Sequence, residues 1–433
     1  MKDIIGVQEI PPRSALFPLS LQHLFAMFGS TVLVPYLLKV DPATALFMNG
    51  IGTIIYIFIC QRKIPAYLGS SFAFIAPVMT VMSTGMTYGD AQGGFICFGI
   101  AFIFLSLLVR LVGIGWIDVL FPPAAMGSIV AVIGLELVPV AMGMAGITGD
   151  SWQTLGLAHE QVLLLSLFTL AVTILGTVLF RGFFAVIPIL FGVVAGYVLA
   201  LYMGVLDTAS ISAAPWVAVP HFYKPSFNIN AILMIMPALF VVFAEHVGHL
   251  VVTGSIVGKD LLKDPGLKRS LLGDGIANVL SGLLGATPNT TYGENIGVLA
   301  ITRVFSVYVI GGAAVLAILF SFVGKIAAVI HAIPVPVMGG VSILLFGIIA
   351  ASGFRMLVER KVDYSNPANL ILTAITIVTG ISGVAVDIGP VELKGMGLAT
   401  IVAMCLSLLF TIFRVTGIGN EQLKEGYENQ KQH

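Results

Sequence analysis

Charge is what this chain of 433 residues has least of. Asp, Glu, Lys and Arg together make up 10% of it, and 21 basic residues balance 21 acidic ones. Soluble domains carry about 25% charged residues, so this chain cannot dress itself in a water-facing surface. Zero net charge, with the basic residues in short loops, excludes a nucleic-acid surface. Cysteine is equally scarce: Cys60, Cys97 and Cys405 stand at unrelated spacings inside apolar runs. That excludes a disulfide framework or a cysteine metal centre and suits small core hydrophobes. No cleavable leader is legible, because the apolar run after the polar start Met1 to Arg13 is too long for one. The chain also lacks a nucleophile or metal set of the kind an embedded enzyme needs, so it reads as a non-enzyme without metal or cofactor.

What the chain does have is apolar length. Hydrophobic residues make up 58% of it, in runs of roughly 18–25, the length a helix needs to cross hydrocarbon. Dividing the runs at charged or Gly/Pro-rich breaks predicts an all-α polytopic membrane protein of fourteen segments. Their limits are 17–38, 43–60, 65–84, 90–112, 117–141, 161–180, 183–205, 231–256, 268–286, 289–303, 305–330, 334–353, 367–384 and 395–414. With the N-terminus in the cytoplasm and the sides alternating, only Lys39, Lys224, Lys325 and Lys394 of the 21 basic residues fall outside. Cytoplasmic loops hold such an excess, so both ends, including the tail 421–433, are expected inside.

The chain also resembles itself. Pro122-Pro123-Ala124-Ala125-Met126-Gly127 opens segment five, and Pro334-Val335-Pro336-Val337-Met338-Gly339 opens segment twelve. Gln22-His23 in segment one answers Glu245-His246 in segment eight, and the interrupted segments three and ten answer each other. All three matches are seven segments apart. An odd offset reverses the sense of insertion, giving a 7+7 inverted repeat of the kind that builds secondary transporters.

Segments three and ten are not simple helices. Pro65 to Pro77 and Thr287 to Gly297 each begin with a Pro, Gly, Ser or Thr-rich stretch and then turn apolar. Each reads as a short extended strand followed by a half-helix. Bare strand cannot face lipid, so the two are expected to pair, and each half-helix then offers free N–H groups to a ligand.

Ionisable side chains inside spans are costly, about 2.5–3.5 kcal/mol on insertion scales, and so are candidates for function. Glu136, Glu245, Asp274 and Glu294 are the acids there, with His23, His246 and His249. Glu245 and His249, spaced i,i+4, share a face and are expected to pair as a proton-handling couple. His246 points elsewhere and reads as a packing or hydrogen-bonding residue. Asp274 is expected to bond helix backbone near the interrupted segments, and Glu136 to lie toward the outer surface.

At these residues the chain resembles the nucleobase/ascorbate transporter family, the nucleobase:cation symporter-2 group, and within it the bacterial uracil carriers. The motif Glu294-Asn295-Ile296-Gly297, followed after four residues by Thr302 and Arg303, carries the likeness. So do Gln22-His23, Ala66 to Phe74 and Ala244 to His249. The resemblance implies a proton symporter for uracil in the bacterial cytoplasmic membrane, working as a homodimer by movement of a core against a gate. The core would be 1–113 and 230–331, and the gate 114–229 and 332–420. It also implies that Glu245 and Glu294 hold the base, with the N–H groups of Phe72 and Gly293 on its carbonyls. His249 would join the proton network, and Phe346 stands where relatives often carry Tyr. Ser71 and Tyr292 are further substrate candidates, Tyr292 or Phe72 for packing on the ring; Gln22, His23, Asn295 and Thr302 are supporting ones. A purine permease for xanthine or urate and an anion carrier or channel of the same architecture are the rival readings.

Overall fold

Helix is the local structure that satisfies its own backbone in lipid, and most of this chain adopts it. The computed structural model describes residues 4–182, 184–389 and 391–418, so the expected tail 421–433 lies outside the described residues. Among these, eight helices are long and apolar enough to cross a bilayer: Arg13–Leu38, Pro42–Ile59, Tyr88–Val112, Pro123–Met144, His159–Leu179, Ile229–Val257, Val335–Glu359 and Gly395–Thr416. Shorter apolar helices run over Phe72–Ser83, Pro188–Tyr202, Val307–Ser321 and Pro367–Ile381. The helices Leu267–Leu284 and Gly293–Thr302 lie at the remaining expected positions. The protein is a multi-pass membrane protein.

Several expected segments are broken, and proline explains most of the breaks. The region 117–141 divides into Gly115–Leu120, Pro123–Glu136 and Val138–Met144, with Pro122 and Pro139 at the joints. The region 231–256 divides into Ile229–Ile235 and Ala238–Val257, ahead of and after Pro237. Proline lacks the N–H a helix interior needs and disfavours helix in the residue before it. A hairpin of Ala385–Ile388 against Val391–Lys394 occupies what reads as a plain loop in the sequence.

Helix packing falls into two sets. Tyr88–Val112, Pro42–Ile59, Leu267–Leu284, Val307–Ser321 and Arg13–Ala26 pack closely on one another. So do Pro123–Glu136, His159–Leu179, Pro188–Tyr202, Val335–Glu359, Pro367–Ile381 and Gly395–Thr416. Small residues permit the approach: a Cβ on Gly99 would lie 2.7 Å from the carbonyl of Gly275. Loops expected on one side meet one another. Lys63 pairs with Asp264 at 2.6 Å and Ile5 N–H donates to Arg303. At the other end the backbone N–H of His221 donates to Asp41, and Ser226 donates to Asp90.

The two interrupted segments meet as expected. Strand β1 (Leu68–Ser70) and strand β2 (Asn289–Thr291) pair antiparallel, Gly69 opposite Thr290, and every residue of both is buried. Two strands leave two open edges, and side chains close them. Thr53 Oγ1 takes both the N–H and the carbonyl of Leu68. Asn278 does the same for Asn289 on the opposite edge, donating to its carbonyl at 2.9 Å and accepting its N–H at 2.8 Å. Across the face, Tyr292 lays its ring over Gly69, and its hydroxyl donates to Ser70 O at 2.8 Å.

A Cβ on Gly69 would sit 2.2 Å from the Tyr292 ring. Gly69→Ala should therefore cost about 1–3 kcal/mol, the usual penalty of overpacking. The measurement is the thermal midpoint of detergent-purified protein; an unchanged midpoint would place the ring elsewhere.

Candidate functional site

The strand pair fixes where the two half-helices begin. One starts at Phe72, two residues after Ser70, and the other at Gly293, two residues after Thr291. The first N–H groups of a helix have no acceptor within it. These two helix starts, held side by side by one small sheet, therefore aim two sets of donors into the interior. Ser71 spends its N–H on Pro288 O at 2.8 Å, while its buried Oγ has no partner.

Opposite these donors stand acceptors. Glu294 is in the first turn of its half-helix, and Glu245 is carried by the Ala238–Val257 helix. Each has one carboxylate oxygen that is buried and unpartnered, Glu294 Oε1 and Glu245 Oε2. The helix that carries Glu245 packs directly on the half-helix that carries Glu294. Such orphaned oxygens cost stability in a protein interior and suit a ligand rich in N–H groups.

The expected Glu245–His249 pair does not form. His249 Nδ1 donates to Thr291 O at 2.7 Å, and no hydrogen bond or ion pair joins it to Glu245. The reason lies in the sheet: Leu68 and Thr291 are partners that do not exchange hydrogen bonds, so the Thr291 carbonyl points away from β1 and needs a donor. That bond sets the proton on Nδ1 and leaves Nε2, which lies 3.3 Å from where a Cβ of Gly293 would be. The histidine thus touches the start of the second half-helix rather than the neighbouring acid.

His246 does hydrogen-bond, as its position implies. Its Nδ1 is 3.2 Å from Asp274 Oδ2 and its Nε2 is 2.7 Å from Ser270 Oγ, which meets Tyr56 Oη at 2.6 Å. Asp274 bonds side chains rather than helix backbone, reaching β2 through Asn278 at 3.3 Å. Nothing in the sequence singles out Thr53, Asn278, Ser270 or Tyr56, beyond a polar group inside an apolar run.

The supporting candidates surround the second half-helix. Asn295 donates through Nδ2 to Pro65 O at 3.1 Å and accepts from His23 Nδ1 at 3.1 Å. It thereby ties the first span to the approach of β1. Thr302 Oγ1 closes the far end of the half-helix on Val298 O and accepts the N–H of Val304. Gln22 is buried on the same first span. Tyr292, expected as a stacking candidate, is instead spent on Gly69 and Ser70 O, because the strand needs that cover. Phe72 meets the wholly buried Phe346 edge to face at 5.8 Å, so the first half-helix touches the other helix set there. Glu136 accepts the N–H of Met396 at 2.8 Å, capping the last helix away from this site. Among the described residues, no three His, Cys, Asp or Glu side chains are grouped to hold a metal.

Comparison with known proteins places this geometry. The chain is 60% identical over 411 residues to a uracil permease of Escherichia coli (strain K12), covering 95% of each chain. It is 58% identical over 422 residues to a uracil permease of Paenibacillus larvae, covering 97% of this chain and all of the other. In fold it is similar to the transmembrane domain of a cyanobacterium bicarbonate transporter, BicA. The TM-score is 0.63 at 14% identity, over 92% of this chain and 98% of that one. The permease family model Xan_ur_permease matches residues 14–389, and the chain belongs to that family.

Proposed function

We propose that this protein carries uracil across the bacterial cytoplasmic membrane, taking up a proton with it. The observation that carries this reading is the pair of orphaned carboxylate oxygens, on Glu245 and Glu294, carried by elements that pack at the starts of two half-helices. Uracil has two N–H donors and two carbonyl acceptors on one ring. The carboxylates accept from the N–H groups, and the N–H groups of Phe72 and Gly293 donate to the carbonyls. The Phe72 ring packs on the base. A base with another edge pattern leaves one of these groups unpaired, at a cost of about 1–3 kcal/mol. The uracil permeases at 60% and 58% identity support the same substrate. The likeness to a bicarbonate transporter is one of fold, and an acid at a half-helix start is poorly suited to an anion.

The coupling ion is the proton, and the charge repulsion between Glu245 and Glu294 is its basis. A proton on Glu245 relieves that repulsion and makes binding depend on protonation. His249 acts through its bond to Thr291, at the start of the half-helix that bears Glu294. Fourteen spans in a 7+7 inverted repeat, with both ends cytoplasmic, form a core and a gate. The two closely packed helix sets support that division, and the meeting of like-sided loops supports the alternation. The homodimer is part of the same reading.

Radiolabelled uracil uptake, competed by xanthine, thymine and 5-fluorouracil with and without a protonophore, tests the whole. Uracil analogues should compete, xanthine should not, and the protonophore should abolish accumulation. Glu294→Gln should weaken uracil binding by about 10–100-fold, as loss of a charged acceptor implies, read by titration calorimetry. Glu245→Gln should leave exchange independent of pH and without concentrative uptake; proton-driven accumulation by that variant would refute the coupling assignment.

A further inference from the structure

We propose that Met356, seated on Gly248, is the barrier that closes the site toward the basic end of the molecule, and that its seat must empty for a bound base to leave on that side. The inference rests on the transport reading above and names the contact that movement must break. A Cβ on Gly248 would lie 2.4 Å from Met356 Cε and 3.1 Å from its sulfur, so the thioether occupies the place of the missing side chain. Both residues are buried. Gly248 is three residues past Glu245, which is about 4.5 Å further along the helix and about 60° round it. From there the helix runs to Val257 and on toward Lys259 and Lys263, the end where Lys63 meets Asp264. Met356 likewise stands three residues before Glu359, followed by Arg360 and Lys361. Both partners therefore lie on the basic side of Glu245.

Toward the opposite end the two helix sets leave a crevice. Ala76, Pro77, Thr80 and Pro237 line one wall, and Glu136 and Met396 the other. The half-helix residues in that wall stand one and two turns beyond Phe72, and Pro237 directly precedes the helix that carries Glu245. The crevice thus lies on one side of the site and the Met356 seat on the other; a second small cavity, beside His249, Leu250 and Thr253, is bounded by Tyr56, Tyr292 and Ile296 rather than by the Val335–Glu359 helix. Leu345 lies eleven residues from Met356, three turns along the same face of the Val335–Glu359 helix. It rests beside Gly29 of the first span, 3.6 Å from where a Cβ would be. One helix face therefore touches the Ala238–Val257 helix at Met356 and the first span at Leu345, next to the Phe346 that meets Phe72. The Met356 seat holds no hydrogen bond and no ion pair. A flexible thioether in a glycine notch is held by apolar contact alone, so it parts without stranding a polar group.

The test starts from protein with Cys60, Cys97 and Cys405 replaced by Ala, whose uracil uptake in proteoliposomes is measured first. Absence of uptake by the unaltered protein counts against the transport reading alone; should the cysteine replacements themselves impair uptake, the cross-link is formed with the native cysteines present, where only the added pair responds to oxidation. Gly248→Cys with Met356→Cys is then oxidised; the shorter side chain at position 356 leaves room for the sulfur on residue 248. The expected result is a cross-link that stops uracil counterflow while uracil still binds, with flux restored by dithiothreitol. Counterflow at the unlinked rate after cross-linking, or absence of any cross-link, overturns the proposal. As a second arm, Gly248→Cys is labelled by an impermeant maleimide from the basic side, with Met356 present or changed to Ala. Labelling several-fold faster without Met356 supports the barrier; equal rates overturn it.

Discussion

An extended backbone at bilayer depth must find a partner for every N–H and carbonyl, and that requirement organises this molecule. The two strands are only three residues each, yet they recruit side chains from three different helices, Pro42–Ile59, Ala238–Val257 and Leu267–Leu284. Thr53 covers one edge, Asn278 and His249 cover the other, and Tyr292 lies across the face. Each of these bonds is bland taken alone. Together they hold the starts of two half-helices at one place, and the binding chemistry follows from that placement.

Neutral donors from the backbone and charged acceptors from two acids are a division of labour suited to a small polar ring. Backbone N–H groups at a helix start cannot rotate away, so their geometry is set by the strands. The carboxylates are adjustable in charge, and they are held apart on different elements, one on a half-helix and one on a long helix. Phe72 meets Phe346 of the Val335–Glu359 helix, so the residue proposed to pack on the base also touches that helix.

Much of this was legible in the sequence. Scarcity of charge and long apolar runs establish the membrane class, and the Pro, Gly, Ser and Thr-rich openings at 65–71 and 287–292 mark the strand pair. Periodicity placed Glu245 and His249 on one face correctly, but a shared face does not say which acceptor lies nearest. The Thr291 carbonyl, turned outward by the register of the sheet, wins His249. Asn278 and Thr53 were not legible, because their partners are backbone atoms of other segments and leave no trace in side-chain pattern. The cover that Tyr292 gives Gly69 is illegible for a related reason: an aromatic beside a site reads as a ligand contact, and nothing in the sequence shows that it also shields a glycine. The breaks at Pro122, Pro139 and Pro237 follow from proline itself.

The pairing of β1 with β2 also sets an order of events during synthesis. Tyr292, whose hydroxyl takes the carbonyl of Ser70, comes 222 residues later in the chain. At roughly 5–20 residues per second, the first strand waits tens of seconds for its mate. During that interval segment three holds exposed backbone that lipid cannot satisfy. It must therefore linger in the insertion machinery, at the water interface, or against Thr53, which arrives before it. The first half of the chain is, in this sense, a membrane protein that cannot finish entering the membrane until about a third of the second half exists.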